Sequence, residues 1–250
     1  MDAIILAGYS EKNIKEFGIG KPQIELNGKK LVRVALEAVC IPEYIDRVFI
    51  IGNQAELKEL ESANNKIIQG SANVIKNITD CITKNGIHGS FIVLASDLPF
   101  VSDRTIRDFI SDSLWLKAHL YYPIVSKKIF KERYPEYAKT FFRLKEGIFT
   151  GGSVFIADAE ATVAVSEFVQ DYFNNRKHPF KIAGMIGLKG LFKFLSGRLS
   201  ISEVVEAVRK RTGYEAAIII SKHPQIALDL DKQSQIKLLY AIENRLQESR

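Results

Sequence analysis

Through the first half of the chain, short apolar and β-branched runs alternate with stretches of helical spacing, and few architectures tolerate that order. Parallel strands need crossovers of a dozen or more residues, usually helical. The pattern therefore predicts a Rossmann-like series of βαβ units with helices on both faces of a mostly parallel sheet. The expected strands are Ala3–Ala7, Arg47–Ile51, Lys66–Ile68, Ser90–Ala95 and His119–Val125. Between them, Leu31–Val39, Gln54–Glu61, Ser71–Thr83 and Ser102–Ser111 read as helices, with Ser71 and Ser102 as N-caps.

After Tyr122 the pattern changes. Lys127–Tyr137 is basic and aromatic, while Thr140–Leu144 and Val154–Ala157 read as short strands suited to an antiparallel edge. Helical spacing dominates from Glu160 to Thr212, in Ala161–Phe173, Lys189–Leu195 and Ile201–Arg211. Strand character returns at Ala216–Ser221 and Ile226–Leu230, and Ser234–Gln247 reads as an amphipathic helix. Because strands resume after the helical run, residues 1–250 are expected to form a single α/β domain. Its mixed sheet would be the centre of a three-layer α/β/α sandwich, with 160–212 as a helical insertion.

Composition narrows the function classes. The chain is 46% hydrophobic and 26% charged, as ordinary globular proteins are. Its net charge of +6 is dispersed, and the densest basic cluster, Val208–Arg211, is too short for a nucleic-acid-binding stripe. No stretch approaches the roughly 20 apolar residues of a membrane span, and the first residues lack a leader pattern. Cys40 and Cys81 sit in apolar helical patterns without metal-ligand spacing, so both are expected as buried thiols. A cytoplasmic protein is expected, with room for a homo-oligomer.

The chemistry-bearing residues follow strand ends. The run Ala3–Ala7 meets Gly8, and a polar loop leads to Gly20-Lys21-Pro22; bare amides and a returning lysine suit phosphate charge. The run Phe91–Ala95 delivers Asp97 to a strand's carboxyl end, where open α/β sheets bind ligands, although Asp97 could instead cap the next turn. In Leu228-Asp229-Leu230-Asp231, alternation sends both aspartates to one side, favouring a shared hard cation with Asp97; helix capping by Asp231 is the alternative. Thr150-Gly151-Gly152-Ser153 allows close backbone approach to a ligand, or forms a hairpin turn. Gln69-Gly70-Ser71 offers amides to a base or ribose, or a turn with an N-cap. His88, His119, His178 and His223 lie in unrelated contexts, and neither a nucleophile elbow, a Walker loop nor a G-x-G-x-x-G is present.

Taken in order, Leu6-Ala7-Gly8, Lys21-Pro22 with Leu26-Asn27-Gly28-Lys29, Ala95-Ser96-Asp97-Leu98-Pro99, Thr150-Gly151-Gly152 and Asp229-Leu230-Asp231 resemble the nucleotidyltransferase superfamily. Within it they are similar to the MobA-like NTP transferase domain, of GT-A-like fold. The resemblance implies transfer of a nucleoside monophosphate from an NTP to a small-molecule phosphate or hydroxyl acceptor, with Mg2+ or Mn2+ and release of pyrophosphate. It implies that Leu6, Ala7 and Gly8 hold the base and phosphates, Lys21 neutralises the triphosphate, and Gly70 and Ser71 help select the base. Asp97 and Asp231 match the metal positions best, with Asp229 as an alternative ligand; Thr150, Gly151, Gly152 and Ser153 match the acceptor side. Two departures stand out: Tyr9 follows Gly8 with no arginine before Lys21, leaving Lys12 or Lys15 to compensate, and Ser153 stands where relatives often carry asparagine. A GT-A glycosyltransferase and a catalytically weak nucleotide-binding assembly protein are the competing readings.

Overall fold

The computed structural model describes residues 1–8, 11–26, 28–175, 187 and 189–248, excepting the side chains of 11–13, 172–175 and 246–248. Tyr9, Asn27, His178 and the Lys12 side chain therefore lie outside the described residues. The strands, in chain order, are β1 (Asp2–Ala7), β2 (Glu25–Leu26), β3 (Lys29–Lys30), β4 (Val48–Gly52), β5 (Asn65–Gln69) and β6 (Ser90–Ala95). They continue as β7 (Leu120–Ser126), β8 (Phe142–Leu144), β9 (Gly147–Gly151), β10 (Val154–Asp158) and β11 (Ala216–Ser221). β2 and β3 form a small ladder of their own; the rest make one sheet.

In that sheet β5, β4, β1 and β6 lie side by side and parallel, then β10 enters antiparallel between β6 and β7. Layers on both faces explain the continuous apolar runs. Ala3 and Ile5 of β1 join one core cluster and Ile4 the other, as successive side chains of a strand must. Helices Leu31–Val39 and Asp103–Leu114 contribute to the first cluster and Val74–Asn85 to the second.

One edge of β7 takes β11 in parallel; β10 and β9 pair antiparallel with successive parts of β7. Five steps from Gly151 to Ile156 are set against three from Ile124 to Tyr121, so two extra residues bulge from a strand line that bends there. The Gly152 N–H donates to the Pro123 carbonyl and the Ser153 N–H to that of Ile226, each at 2.9 Å. The Ala95 N–H donates to the Ser153 carbonyl at 3.0 Å. Thr150–Ser153 is thus a bulge and not a hairpin turn.

Helices Ala159–Ala164, Ser166–Asn175 and Ile201–Thr212 lie between β10 and β11, two members of the same sheet. Residues 189–195 are helical as well. The segment Ile201–Thr212 starts on a reciprocal Ser200–Glu203 cap and lays Ile201 and Val204 over Ile124, Leu144 and Phe149.

Several expectations need correction. The segment expected as one helix over Ala161–Phe173 is broken at Val165. Asn73, not Ser71, caps the helix before β6, accepting from the Lys76 N–H; Ser71 instead hydrogen-bonds Asn77. The span Gln54–Glu61 is a four-residue helix followed by a 3-10 turn. Ile226–Leu230 forms no strand. Pro224 opens a 3-10 turn there, and the carbonyl of Ile226 and N–H of Leu230 bond to Ser153 and Asp97 instead of a neighbouring strand. The loop after Gly8 contains a helix, Glu11–Phe17, closed by Gly18 at φ +75°. Cys40 is exposed because it lands just past the end of helix Leu31–Val39, whereas Cys81 is buried and its thiol pKa is pushed up to about 12 by desolvation.

Gly52, which sequence patterning did not single out, leaves no room for a side chain between β4 and β1. A Cβ there would stand 2.4 Å from the Ala7 carbonyl oxygen and 2.6 Å from Leu57 Cδ1. Gly52→Ala is expected to destabilise by about 1–3 kcal/mol, since the obstacle is backbone. Urea titration measures it, and an unchanged midpoint would mean that the end of β1 can retreat.

Candidate active site

The carboxyl ends of β1 and β6 lie beside each other, and the Ser96 N–H donates to the Leu6 carbonyl at 3.1 Å. That bond carries the chain out of the sheet at the next residue, Asp97. The Asp97 carbonyl then accepts from the Leu230 N–H at 2.9 Å, joining the last third of the chain to the middle of the sheet. Leu228 and Leu230 are fully buried while Asp229 and Asp231 point the other way, so the alternation read from sequence survives without a strand.

Lys21 approaches from the opening loop. It begins a 3-10 turn anchored by buried Pro22, and its ammonium lies 5.9 Å from the centre of the Phe17 ring. Its Nζ is 3.0 Å from Asp97 Oδ2 and 3.9 Å from Asp231 Oδ1. The side chains of Lys21 and Asp97 are 12% and 19% exposed, so this pairing is largely shielded from water. A bond of 3.1 Å from the Gln233 N–H to Glu16 Oε1 ties the opening helix to the segment carrying Asp231. Three stretches remote in sequence therefore meet at one point.

Burial pushes the Asp97 carboxyl above its ordinary range; Lys21 pulls it back, and Asp229 and Asp231 raise it again. A desolvated carboxylate with a specific cation partner at a strand end has the character of a functional group. A second lysine, absent from the sequence reading, completes the cluster: Lys139 Nζ is bonded to Asp229 Oδ1. Fully buried Tyr137 donates its hydroxyl to the Asp229 carbonyl at 2.7 Å. Its pKa is raised by burial and then by Asp229, Asp231 and Asp97, so it remains a donor. The only sequence signal for these residues is the basic and aromatic stretch that ends at Tyr137.

The other expected residues distribute as follows. Leu6 and Ala7 end β1, and a Cβ on Gly8 would meet no described atom within 4 Å, leaving open space over that backbone. Gly70 continues the β5 ladder, its N–H donating to Gly52 at 2.8 Å, with Ile51 Cγ2 3.3 Å from where a Cβ would be. Ser71 follows it, exposed and engaged with Asn77. Thr150 is buried within β9, and its neighbours have packing reasons to be glycine. A Cβ on Gly151 would reach the Tyr122 hydroxyl at 2.4 Å, and one on Gly152 the Pro123 ring at 2.9 Å. Ser153 sits between the end of β6 and Ile226.

Among the described residues, no three His, Cys, Asp or Glu side chains form a group able to hold a metal ion by themselves. Mg2+ is commonly held by one or two carboxylates plus substrate phosphates, and that smaller requirement fits. Asp97 and Asp231 already converge on a cation, the Lys21 ammonium.

No family model matches the chain. Over 131 residues, half of the chain, it is 26% identical to a probable molybdenum cofactor guanylyltransferase of Natranaerobius thermophilus, and the match spans 61% of that protein's length. Among solved structures, a hypothetical transferase from Thermus thermophilus is 27% identical and superposes with a TM-score of 0.82 over 94% of this chain and 98% of its own. The 4-diphosphocytidyl-2C-methyl-D-erythritol synthase of Anaerococcus prevotii superposes with a TM-score of 0.61, at 13% identity, over 98% and 96% of the two chains. The chain thus has the mixed-sheet, GT-A-like fold, and its resemblance is to the MobA-like nucleotidyltransferases. Among the described residues no helix is long and apolar enough to cross a membrane.

Proposed function

We propose that this protein is an NTP-dependent nucleotidyltransferase that moves a nucleoside monophosphate to a small-molecule acceptor and releases pyrophosphate. The observation that carries the proposal is the convergence of Asp97, Asp231 and Lys21 beside the open backbone at Gly8. The likeness to a probable guanylyltransferase supports the same reading.

In this reading the triphosphate lies along Leu6, Ala7 and Gly8, and Lys21 exchanges its carboxylate partners for phosphate oxygens. Asp97 and Asp231 would hold Mg2+ or Mn2+, which neutralises charge developing on the phosphates when bound. The remaining work is positioning: nucleotidyl transfer needs no protein nucleophile, only aligned reactants and compensated charge. Gly70 and Ser71 face the base, and the bulge at Thr150–Ser153 borders the acceptor, with the Ser153 backbone tied to the end of β6. No arginine precedes Lys21 in the first loop, so triphosphate binding depends on lysine as a point charge.

A thermal-shift screen of the four NTPs, with and without Mg2+, tests the reading. One NTP is expected to raise Tm only when the metal is present, because a ligand that binds only the native state stabilises it by mass action. Pyrophosphate release in an acceptor panel then separates a nucleotidyltransferase from a glycosyltransferase, which releases none from a nucleotide sugar. Equal shifts for all nucleotides, independent of metal, would contradict the proposal.

A further inference from the structure

We infer that the open edge of β11 is a homodimer interface, at which β11 pairs antiparallel with the same strand of a second copy about a twofold axis at Ile218. The inference is independent of the proposed chemistry.

Among the described residues β5, β8 and β11 border the sheet. An edge strand offers unpaired main-chain groups to any other strand, and proteins blunt such edges with charge, proline or shortness. β5 carries Lys66, and β8 is three residues long with Arg143 at its centre. β11, six residues reading Ala-Ala-Ile-Ile-Ile-Ser, has none of these defences. Its faces are covered, since Ile218 packs with Ile201 and Val204 on one side and Ile219 joins the main core on the other. The edge is what remains.

The register shows which groups point there. The Pro123 carbonyl accepts from the Gly152 N–H on the far side of β7, so Pro123 faces away from β11, and Tyr122 and Ile124 bond to it instead. Ile219 lies opposite Pro123, and the Glu215 carbonyl accepts from the Leu120 N–H at 3.2 Å, so the odd-numbered residues of β11 face β7. The N–H and C=O of Ala216, Ile218 and Ile220 therefore point outward, where no further described strand pairs with β11.

A second copy is the occupant that fits. Directly opposed residues of an antiparallel pair exchange two hydrogen bonds at every second position. Centred on Ile218, that pattern sets Ile218 against the partner's Ile218 and Ile220 against the partner's Ala216, and it uses every outward group. Any extended peptide could use the main chain, but the side chains match a copy: Ile220, 49% exposed, meets a small residue. Beyond the strand, Lys222 stands opposite the partner's Tyr214 and Glu215 opposite the partner's Ser221, so no like charges meet.

Sedimentation velocity from about 1 to 200 µM, with residue-resolved amide exchange at both ends of that range, tests the inference. The wild type is expected to pass from monomer to dimer. Protection at Ala216, Ile218 and Ile220 should rise about tenfold or more with it, while Ala217 and Ile219, bonded to β7, stay protected throughout. Ile220→Pro removes an N–H that the monomer does not use, and it is expected to stay monomeric. A wild type monomeric over the whole range would overturn the inference, as would a dimer whose three outward amides exchange freely. So would protection independent of concentration, the mark of a segment of the same chain lying on the edge, or an Ile220→Pro dimer as stable as the wild type. The wild-type results decide even if the variant fails to fold.

Discussion

Asp97→Asn is expected to fold, to melt at or above the wild-type temperature near neutral pH, and to lose turnover by about 100- to 1,000-fold. The two effects have one cause. Asp97 is held as a largely shielded carboxylate, and burial raises its pKa above the ordinary aspartate value of about 3.8. For a raised acid the native state binds more protons than the unfolded chain, so stability falls as pH rises from about 3.8 through the folded pKa. Below that window both states are protonated and the penalty vanishes. Asparagine removes a charge that burial penalises, so the variant's advantage should grow from acid to neutral pH and then level off. Its carboxamide is a far weaker ligand for a hard cation, so metal-dependent transfer is lost. Melting curves from pH 3 to 8 and pyrophosphate release with Mg2+ and the acceptor found by the panel check both halves. A less stable variant with full turnover would refute the role given to Asp97.

Lys21→Met should do the opposite to stability while also disabling the site. Removing the ammonium leaves Asp97 shielded beside Asp229 and Asp231 without its closest cation, and a stranded charge costs more than a vanished one. A loss of about 1–3 kcal/mol at neutral pH is expected, shrinking as acid protonates the carboxyl, because the folded pKa is then raised further. Nucleotide affinity should fall about 100-fold, since the first loop brings no arginine to replace the lysine. Urea titrations at pH 4 and pH 7, with calorimetric titration of the NTP, measure these changes. Lys21→Arg is expected to recover most of the stability but less of the function, because a planar fork does not place charge where an ammonium does. The contrast between Lys21→Met and Asp97→Asn separates a ligand-binding cluster from a structural salt bridge, whose two halves would be equally missed.

Much of this was legible from the residues. β1, β4 and β6 are uninterrupted apolar runs because helices cover both of their faces, and such runs declare themselves. Asp97 was legible because it lies just past the carboxyl end of a buried strand, where open α/β sheets bind ligands. Asp229 and Asp231 were legible through alternation, even though the strand expected around them is a 3-10 turn and loop.

What escaped was set by partners distant in sequence. Lys139 meets Asp229 across 90 residues, and nothing in its own neighbourhood marks it apart from any loop lysine. Gly52 must be glycine because the Ala7 carbonyl of the adjoining strand passes so close, a fact that belongs to the pair and not to either segment. At Gly151 and Gly152 the glycine pattern was legible but the packing beneath it was not: Tyr122 and Pro123 crowd the places where their side chains would stand. The β9–β10 bulge escaped for a related reason, since an extra pair of residues is visible only against the register of β7.

The opening loop, the end of β6 and the Asp229–Asp231 segment share one cluster of opposite charges, to which the proposed function assigns the metal and the nucleotide. Calorimetric titration of the NTP selected by the thermal-shift screen, with and without Mg2+, against the wild type and Asp97→Asn, tests that cluster directly. Tight binding by the wild type that requires the metal, and loss of that requirement together with most of the affinity in the variant, is the predicted result. Metal-dependent binding of equal strength in both proteins would contradict it.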